Sequence, residues 1–111
     1  MVNNIEPVLL ALADPVRRQV VETLQGGPRS AGQLAAAVGM SAPAMSRHLR
    51  VLRGSGLVEA SGADDDARLR LYRLRREPFR AMRSWLSRFD ELWGKQLDAF
   101  AAHASKKKGK P

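Results

Sequence analysis

The most restrictive feature of this chain is the spacing of two helix-start signals near its middle. Ser30-Ala31-Gly32-Gln33 is a capping box, in which serine and glutamine satisfy each other's backbone N–H groups. Leu34, Ala35 and Val38 then supply an inward-facing stripe, and Gly39 suits the left-handed residue that ends a helix. Only Met40 separates that glycine from Ser41, a second capping residue. Two helices joined by so few residues, with glycine in the turn, make a helix-turn-helix.

The flanking segments extend this unit. Ile5, Val8, Leu9 and Leu12 recur at helical spacing and open the chain with a short helix. Asp14-Pro15 restarts it, because aspartate caps well and proline loses nothing at the first helical position. Val16, Val20 and Leu24 form the stripe of this second helix, which Gly26-Gly27 ends. The helix after Ser41 runs from Ala42 to Arg53, with Pro43 in its first turn. Gly54-Ser55-Gly56 stops it, and Leu57–Ala60 reads as a strand. A polar turn over 61–67 leads to a second strand, Arg68–Leu74, so a hairpin follows the helix-turn-helix as a wing would. Leu69 and Leu71 alternate to one side of it and Tyr72 and Leu74 to the other, leaving its buried face open between a bulge and burial on both sides.

Glu77-Pro78 starts a final helix ending near Ala104. Phe79, Met82, Leu86, Phe89, Trp93, Leu97 and Phe100 fall close to a heptad seam along it. At about 28 residues it is ~42 Å long, against ~26 Å for twice the radius of gyration of a 100-residue domain. A seam of that length, with Trp85 beside it, is more than one small domain covers. A second copy is the economical cover, with the first helix packed alongside. The fold expected is therefore mainly α with a two-stranded β-hairpin: a winged helix-turn-helix over residues 1–104 that dimerises through its first and last helices, then a disordered lysine-rich tail over 105–111.

Charge narrows the partners. The 19 Lys and Arg exceed the 11 Asp and Glu, for a net charge of +8, which favours an anionic partner. Lys106, Lys107, Lys108 and Lys110 carry four of those charges in the tail; without them 15 cations face 11 acids, so charge alone does not decide the matter. With no cysteine, disulfides, thiolate metal sites and thiol redox sensing are excluded. Neither a signal peptide nor a membrane-length apolar run is visible, so a cytoplasmic protein is expected. His48 and His103 have no Ser–Asp framework around them and no phosphate-binding glycine loop is present, which argues against an enzyme.

The helix over 42–53 carries the candidate function. Met45, Leu49 and Leu52 point inward, while Ser46, Arg47, Arg50 and Arg53 lie opposite, with Ser41, Ala42 and Pro43 at the leading end. A major groove admits one such helix; arginine pairs bidentately with guanine, and serine suits several bases. A surface helix with solvated arginines is the plain alternative. His48 sits at the edge of the inward face, either packed to fix the helix or touching a phosphate. On the hairpin, Arg68 and Arg70 flank the strand, and Asp64-Asp65-Asp66 at the tip either repels phosphate or neutralises neighbouring arginines. A protein-interaction winged helix without base readout is the competing class, and RNA is disfavoured by the scarcity of stacking aromatics.

These runs together resemble the ArsR/SmtB family of bacterial repressors. The resemblance rests on Leu12-Ala13-Asp14-Pro15-Val16-Arg17-Arg18, Gln33-Leu34-Ala35, the run from Ser41 to Arg53, Gly56-Leu57-Val58 and Tyr72-Arg73-Leu74, and covers about residues 5–100. It implies a homodimer binding a double-stranded DNA operator and released by a signal. Where the family commonly has glutamine after the capping serine, this chain has Ala42. The family's thiolate metal site falls on Ser30 and Gly32, and its interfacial site on Arg76, Pro78, Phe89 and Leu92. None of these is a usable ligand, so the chain resembles the metal-free branch and no cofactor is expected.

Overall fold

The computed structural model describes residues 5–62 and 69–107, without the side chains of residues 97 and 104–107. The chain divides into two compact units, Met1–Phe79 and Arg80–Pro111.

The first unit is built on four helices: α1 (Glu6–Leu12), α2 (Pro15–Leu24), α3 (Ala31–Val38) and α4 (Ala42–Gly54). Asp14 caps α2 by accepting the Val16 and Arg17 backbone N–H groups at 2.7 and 3.2 Å. The capping box opens α3 in both directions: Ser30 Oγ accepts the Gln33 N–H at 3.2 Å, and Gln33 Oε1 accepts the Ser30 N–H at 2.9 Å. Gly39 adopts φ 78°, ψ 42°, and its N–H returns to the Ala35 carbonyl, so the helix-turn-helix closes as its sequence predicts.

The hairpin needs a correction. Three antiparallel strands form a sheet in the order β1 (Arg29–Ser30), β3 (Leu71–Leu74), β2 (Val58–Ser61). The expected pair becomes three because the residues leading into α3 add a second neighbour to β3, Arg29 facing Tyr72 and Ser30 facing Leu71. A two-residue strand carries no periodicity to read. The β2–β3 register is continuous, Val58 opposite Leu74 through to Ser61 opposite Leu71, so no bulge is needed among these residues. Tyr72 turns inward and Leu71 outward, which resolves the face left open by alternation.

Val20, Leu34, Met45, Leu49, Leu52 and Leu57 form the fully buried centre of this unit. Each such leucine or methionine contributes about 1.5–3 kcal/mol through removal of apolar surface from water. Three of the six come from one stripe of α4, so the recognition-type helix is held by the deepest part of the core.

The last helix, α5 (Arg76–Lys107), starts one residue before Glu77 and runs three beyond Ala104. Along it, Trp85 meets Phe89 edge-on with centroids 4.8 Å apart, and Phe89 meets Trp93 at 6.5 Å and 84°. These i, i+4 contacts gather the aromatics on one side of the helix.

Candidate nucleic-acid interface

The outward face of α4 is cationic and open. Ser46, Arg47, Arg50 and Arg53 are exposed, while Met45, Leu49 and Leu52 on the opposite stripe are at most 1% exposed. Among the described residues, no hydrogen bond or ion pair engages the Arg47, Arg50 or Arg53 guanidinium. Three charge centres with five N–H donors each therefore point to solvent from a rigid support. At the leading end, Ala42 and Pro43 are exposed, and the Ser41 hydroxyl accepts the Ala44 N–H at 3.3 Å. Ser41 is thus first a cap, with its own proton left for another acceptor.

The sheet adds one arginine to this face. Half-buried Arg70 shares an open groove with Ser46, Arg50, Arg53 and the inward-turned Tyr72. Arg68 and the Asp64-Asp65-Asp66 turn lie outside the described residues. Arg73 and Arg75 are committed elsewhere. Arg73 Nε is 3.0 Å from Glu59 Oε2, and Arg75 lies 3.9 Å from Glu59 and 3.7 Å from Glu77.

His48 is half-buried, with Nδ1 3.4 Å from Arg17 Nη1. Arg17 also donates from Nε to the Ala11 carbonyl at 2.6 Å and from Nη2 to the Leu10 carbonyl at 3.3 Å. Arg18 donates to the Leu12 and Ala13 carbonyls at 2.8 and 3.2 Å. These carbonyls lie in the last turn and C-cap of α1, which has no basic residue in its own last turn, and the Leu10 carbonyl also accepts the Ala13 N–H at 3.2 Å. The Arg17 backbone N–H holds the Asp14 carboxyl below its ordinary value, helped by the Val16 N–H and the nearby Arg17 charge. Sequence reasoning missed Arg17 and Arg18. A usable signal for Arg17 exists: it falls at i, i+3, i+4 and i+7 with buried Val20, Val21 and Leu24, on a stripe where a solvated arginine does not belong.

The residues expected at a dimer seam divide. Ile5 and Val8 are buried in the chain's own core, at 8% and 4% exposure, and have little surface left for a partner. Leu9 is exposed, joined by Leu10, and Leu12 is half-buried. On α5, Phe79 and Met82 are half-buried, whereas Leu86, Phe89, Trp93 and Phe100 are exposed, Trp93 at 59% and Phe100 at 70%. Leu97 lies on α5, its side chain outside the described residues. Among the described residues, no three His, Cys, Asp or Glu side chains come together as a metal site. None of their helices is long and apolar enough to cross a membrane.

A tight helix-turn-helix, a sheet beside it and an unengaged cationic helix face define a winged helix-turn-helix protein of the DNA-binding kind. Comparison with known proteins agrees. The helix-turn-helix domain family matches residues 12–60. The HTH-type transcriptional regulator Rv2034 of Mycobacterium tuberculosis is 40% identical over 91 residues, 82% of this chain and 79% of that protein. The biofilm growth-associated repressor of Xylella fastidiosa is 42% identical over 57 residues, 51% of this chain and 50% of that protein. Among solved structures, an ArsR family transcriptional regulator superposes with TM-score 0.72 at 33% identity, covering 85% of this chain and 97% of the other. The homodimeric winged helix-turn-helix DNA-binding domain Mb0332 of Mycobacterium bovis gives 0.61 at 28% identity, covering 79% and 81%. The chain belongs to the ArsR/SmtB-type winged helix-turn-helix transcriptional regulators, a non-enzymatic class.

Proposed function

We propose that this chain is a repressor that binds a dyad operator as a homodimer, one α4 entering each of two successive major grooves. The observation that carries this reading is the contrast across α4, whose apolar stripe is sealed in the core while Arg47, Arg50 and Arg53 stand exposed and unengaged among the described residues. Arg47, midway along the helix, suits a base edge; Arg50, Arg53 and Arg70, beside the sheet, suit backbone phosphates. Ser46 supplies a hydroxyl in the same groove, and Arg68, outside the described residues, is a further candidate for a phosphate contact by residue type alone.

Pairing through the exposed apolar side of α5, around Leu86, Phe89, Trp93 and Phe100, and through Leu9 of α1, would remove from water large hydrophobics that one chain leaves bare. The homodimeric state of the Mycobacterium bovis domain supports this arrangement, and the Xylella repressor's name supports the direction of control. Two copies of α4 would then read half-sites about 34–36 Å apart. No metal enters this reading, since the side chains at the family's metal positions are not ligands.

The test is a footprint of the purified chain on DNA from its own promoter region, with affinity titrated against salt. A protected region with dyad symmetry, and affinity for it well above that for random DNA, is the expected result. Equal binding to both would leave only a basic surface, and no binding would favour a protein partner.

A further inference from the structure

Arg17 touches two helices besides its own. Its Nε and Nη2 donate to the Ala11 and Leu10 carbonyls at the end of α1, and its Nη1 lies 3.4 Å from His48 Nδ1 on α4. Its side chain is only 17% exposed, and Asp14 Oδ2 stands 3.8 Å from Nη1 on the remaining side. The guanidinium is planar and its five N–H groups diverge at fixed angles, so contacts made from three of its nitrogens fix its orientation. His48 follows Arg47 directly, and it is half-buried where Arg47 is exposed. Whatever holds the imidazole therefore adds to the buried Met45, Leu49 and Leu52 stripe in fixing the rotation of α4 about its axis, and with it the direction in which Arg47 leaves the helix.

We infer that Arg17 is a positioning residue for DNA recognition: its guanidinium locks His48 to the end of α1 and so sets the angle at which the Arg47 face of α4 is offered to the groove. This deepens the operator-binding reading and rests on it. Neither residue needs to touch DNA for the effect. Base readout depends on geometry within a fraction of an ångström, whereas a phosphate contact tolerates a small rotation of the helix. Loss of the lock therefore lowers discrimination between operator and random DNA more than it lowers binding to random DNA. It also ties α1, which carries the exposed Leu9, to the recognition helix, so a partner pressing on α1 acts on α4 through one side chain.

His48 is the better residue to change, because Arg17 then keeps its bonds to Leu10 and Ala11 and the α1–α2 junction stays intact. His48→Leu removes the acceptor and keeps the bulk. His48→Asn places a carbonyl oxygen near the Nδ1 position. Affinity of each full-length variant is measured for a site selected by the wild-type chain from a random DNA pool, and for unselected DNA, with circular dichroism and thermal melting alongside. The expected result is about a tenfold fall in the operator-to-random ratio for His48→Leu, as fits loss of one charge-assisted hydrogen bond, and a ratio near wild type for His48→Asn. Arg17→Ala is expected to lower the ratio equally, and Arg17→Ala with His48→Leu no further. A folded His48→Leu chain with wild-type discrimination overturns the inference while leaving operator binding standing. Equal loss on both DNAs overturns it too, since it would make His48 a phosphate contact. If the wild-type chain itself shows no preference, both the inference and the reading beneath it fall.

Discussion

Glu59 and Arg73 face each other across β2 and β3, with Arg73 Nε 3.0 Å from Glu59 Oε2. The same carboxylate lies 3.9 Å from Arg75. The cations near α4 are thereby sorted by whether an acid engages them. Arg73 and Arg75 share the Glu59 carboxylate, and Arg50 and Arg53 line the groove beside the sheet with no acid engaging them among the described residues.

Arg73→Gln is accordingly expected to leave DNA affinity and its salt dependence unchanged. It should cost no more than about 1 kcal/mol of stability, because both partners are half exposed and screened. Arg50→Gln should reduce the slope of log affinity against log salt by about 1 if it meets a phosphate. Arg47→Ala should cost about 1–3 kcal/mol on the operator and little on random DNA if it pairs with guanine. Anisotropy titrations on operator and random duplexes across a salt series separate the three. A salt slope lowered by Arg73→Gln as much as by Arg50→Gln would contradict the sorting.

Acid should loosen the α1–α2 junction through Asp14. Its carboxyl is held below the ordinary 3.8 because the folded chain offers it the Arg17 and Val16 N–H groups and the Arg17 charge. A group depressed on folding contributes stability that is fully present above its unfolded value and is lost as pH falls through the lower folded value. Stability should therefore rise with pH across that window. Asn also caps but does not ionise, so Asp14→Asn should show a shallower acid dependence than wild type. Urea unfolding between roughly pH 2 and pH 6 tests this, and parallel curves for the two chains would reject the assignment.

Two glycines should respond differently to alanine. Gly39 has φ 78° with open space around it, so Gly39→Ala meets only the left-handed penalty of about 1–2 kcal/mol. Gly62 has φ 121°, and a Cβ there would stand 2.6 Å from the Leu69 carbonyl oxygen. Backbone must shift to admit it, so Gly62→Ala should open the β2–β3 pair by about 1–3 kcal/mol. Hydrogen exchange reads the difference directly, with faster exchange confined to the sheet for Gly62→Ala and to the α3–α4 turn for Gly39→Ala.

How much of this was legible in the sequence depends on range. The capping box at Ser30, the Asp14 cap and the Gly39 turn are local, so their residue types announce them, and the structure realises each. The α4 stripe of Met45, Leu49 and Leu52 follows from period alone. What escaped is built from residues distant in sequence or too few to form a pattern. Arg29 and Ser30 make a strand only because β3 offers them an edge. Arg18 looks like a surface cation until the Leu12 and Ala13 carbonyls it reaches come into view, whereas Arg17 stands on the apolar stripe of α2 and only its partners are hidden from the sequence. Ile5 and Val8 share the period of Leu9 and Leu12, and period cannot tell a stripe facing the chain's own core from one facing a second copy.

That ambiguity is sharpest on α5, where a single substitution addresses it. Trp93 is 59% exposed, stacked edge-on against Phe89 and one heptad from Leu86 and Phe100. Within one chain, Trp93→Glu removes little buried surface, so helicity should be retained. Across a two-fold seam the same change would bury two unpaired carboxylates near each other, and the desolvation of even one costs several kcal/mol. Sedimentation should therefore show monomers for Trp93→Glu at concentrations where wild type is dimeric. Operator affinity should fall toward that of one half-site, because the second recognition helix is no longer tethered to the first. A Trp93→Glu chain that stays dimeric would place the seam elsewhere, whatever happens to DNA binding.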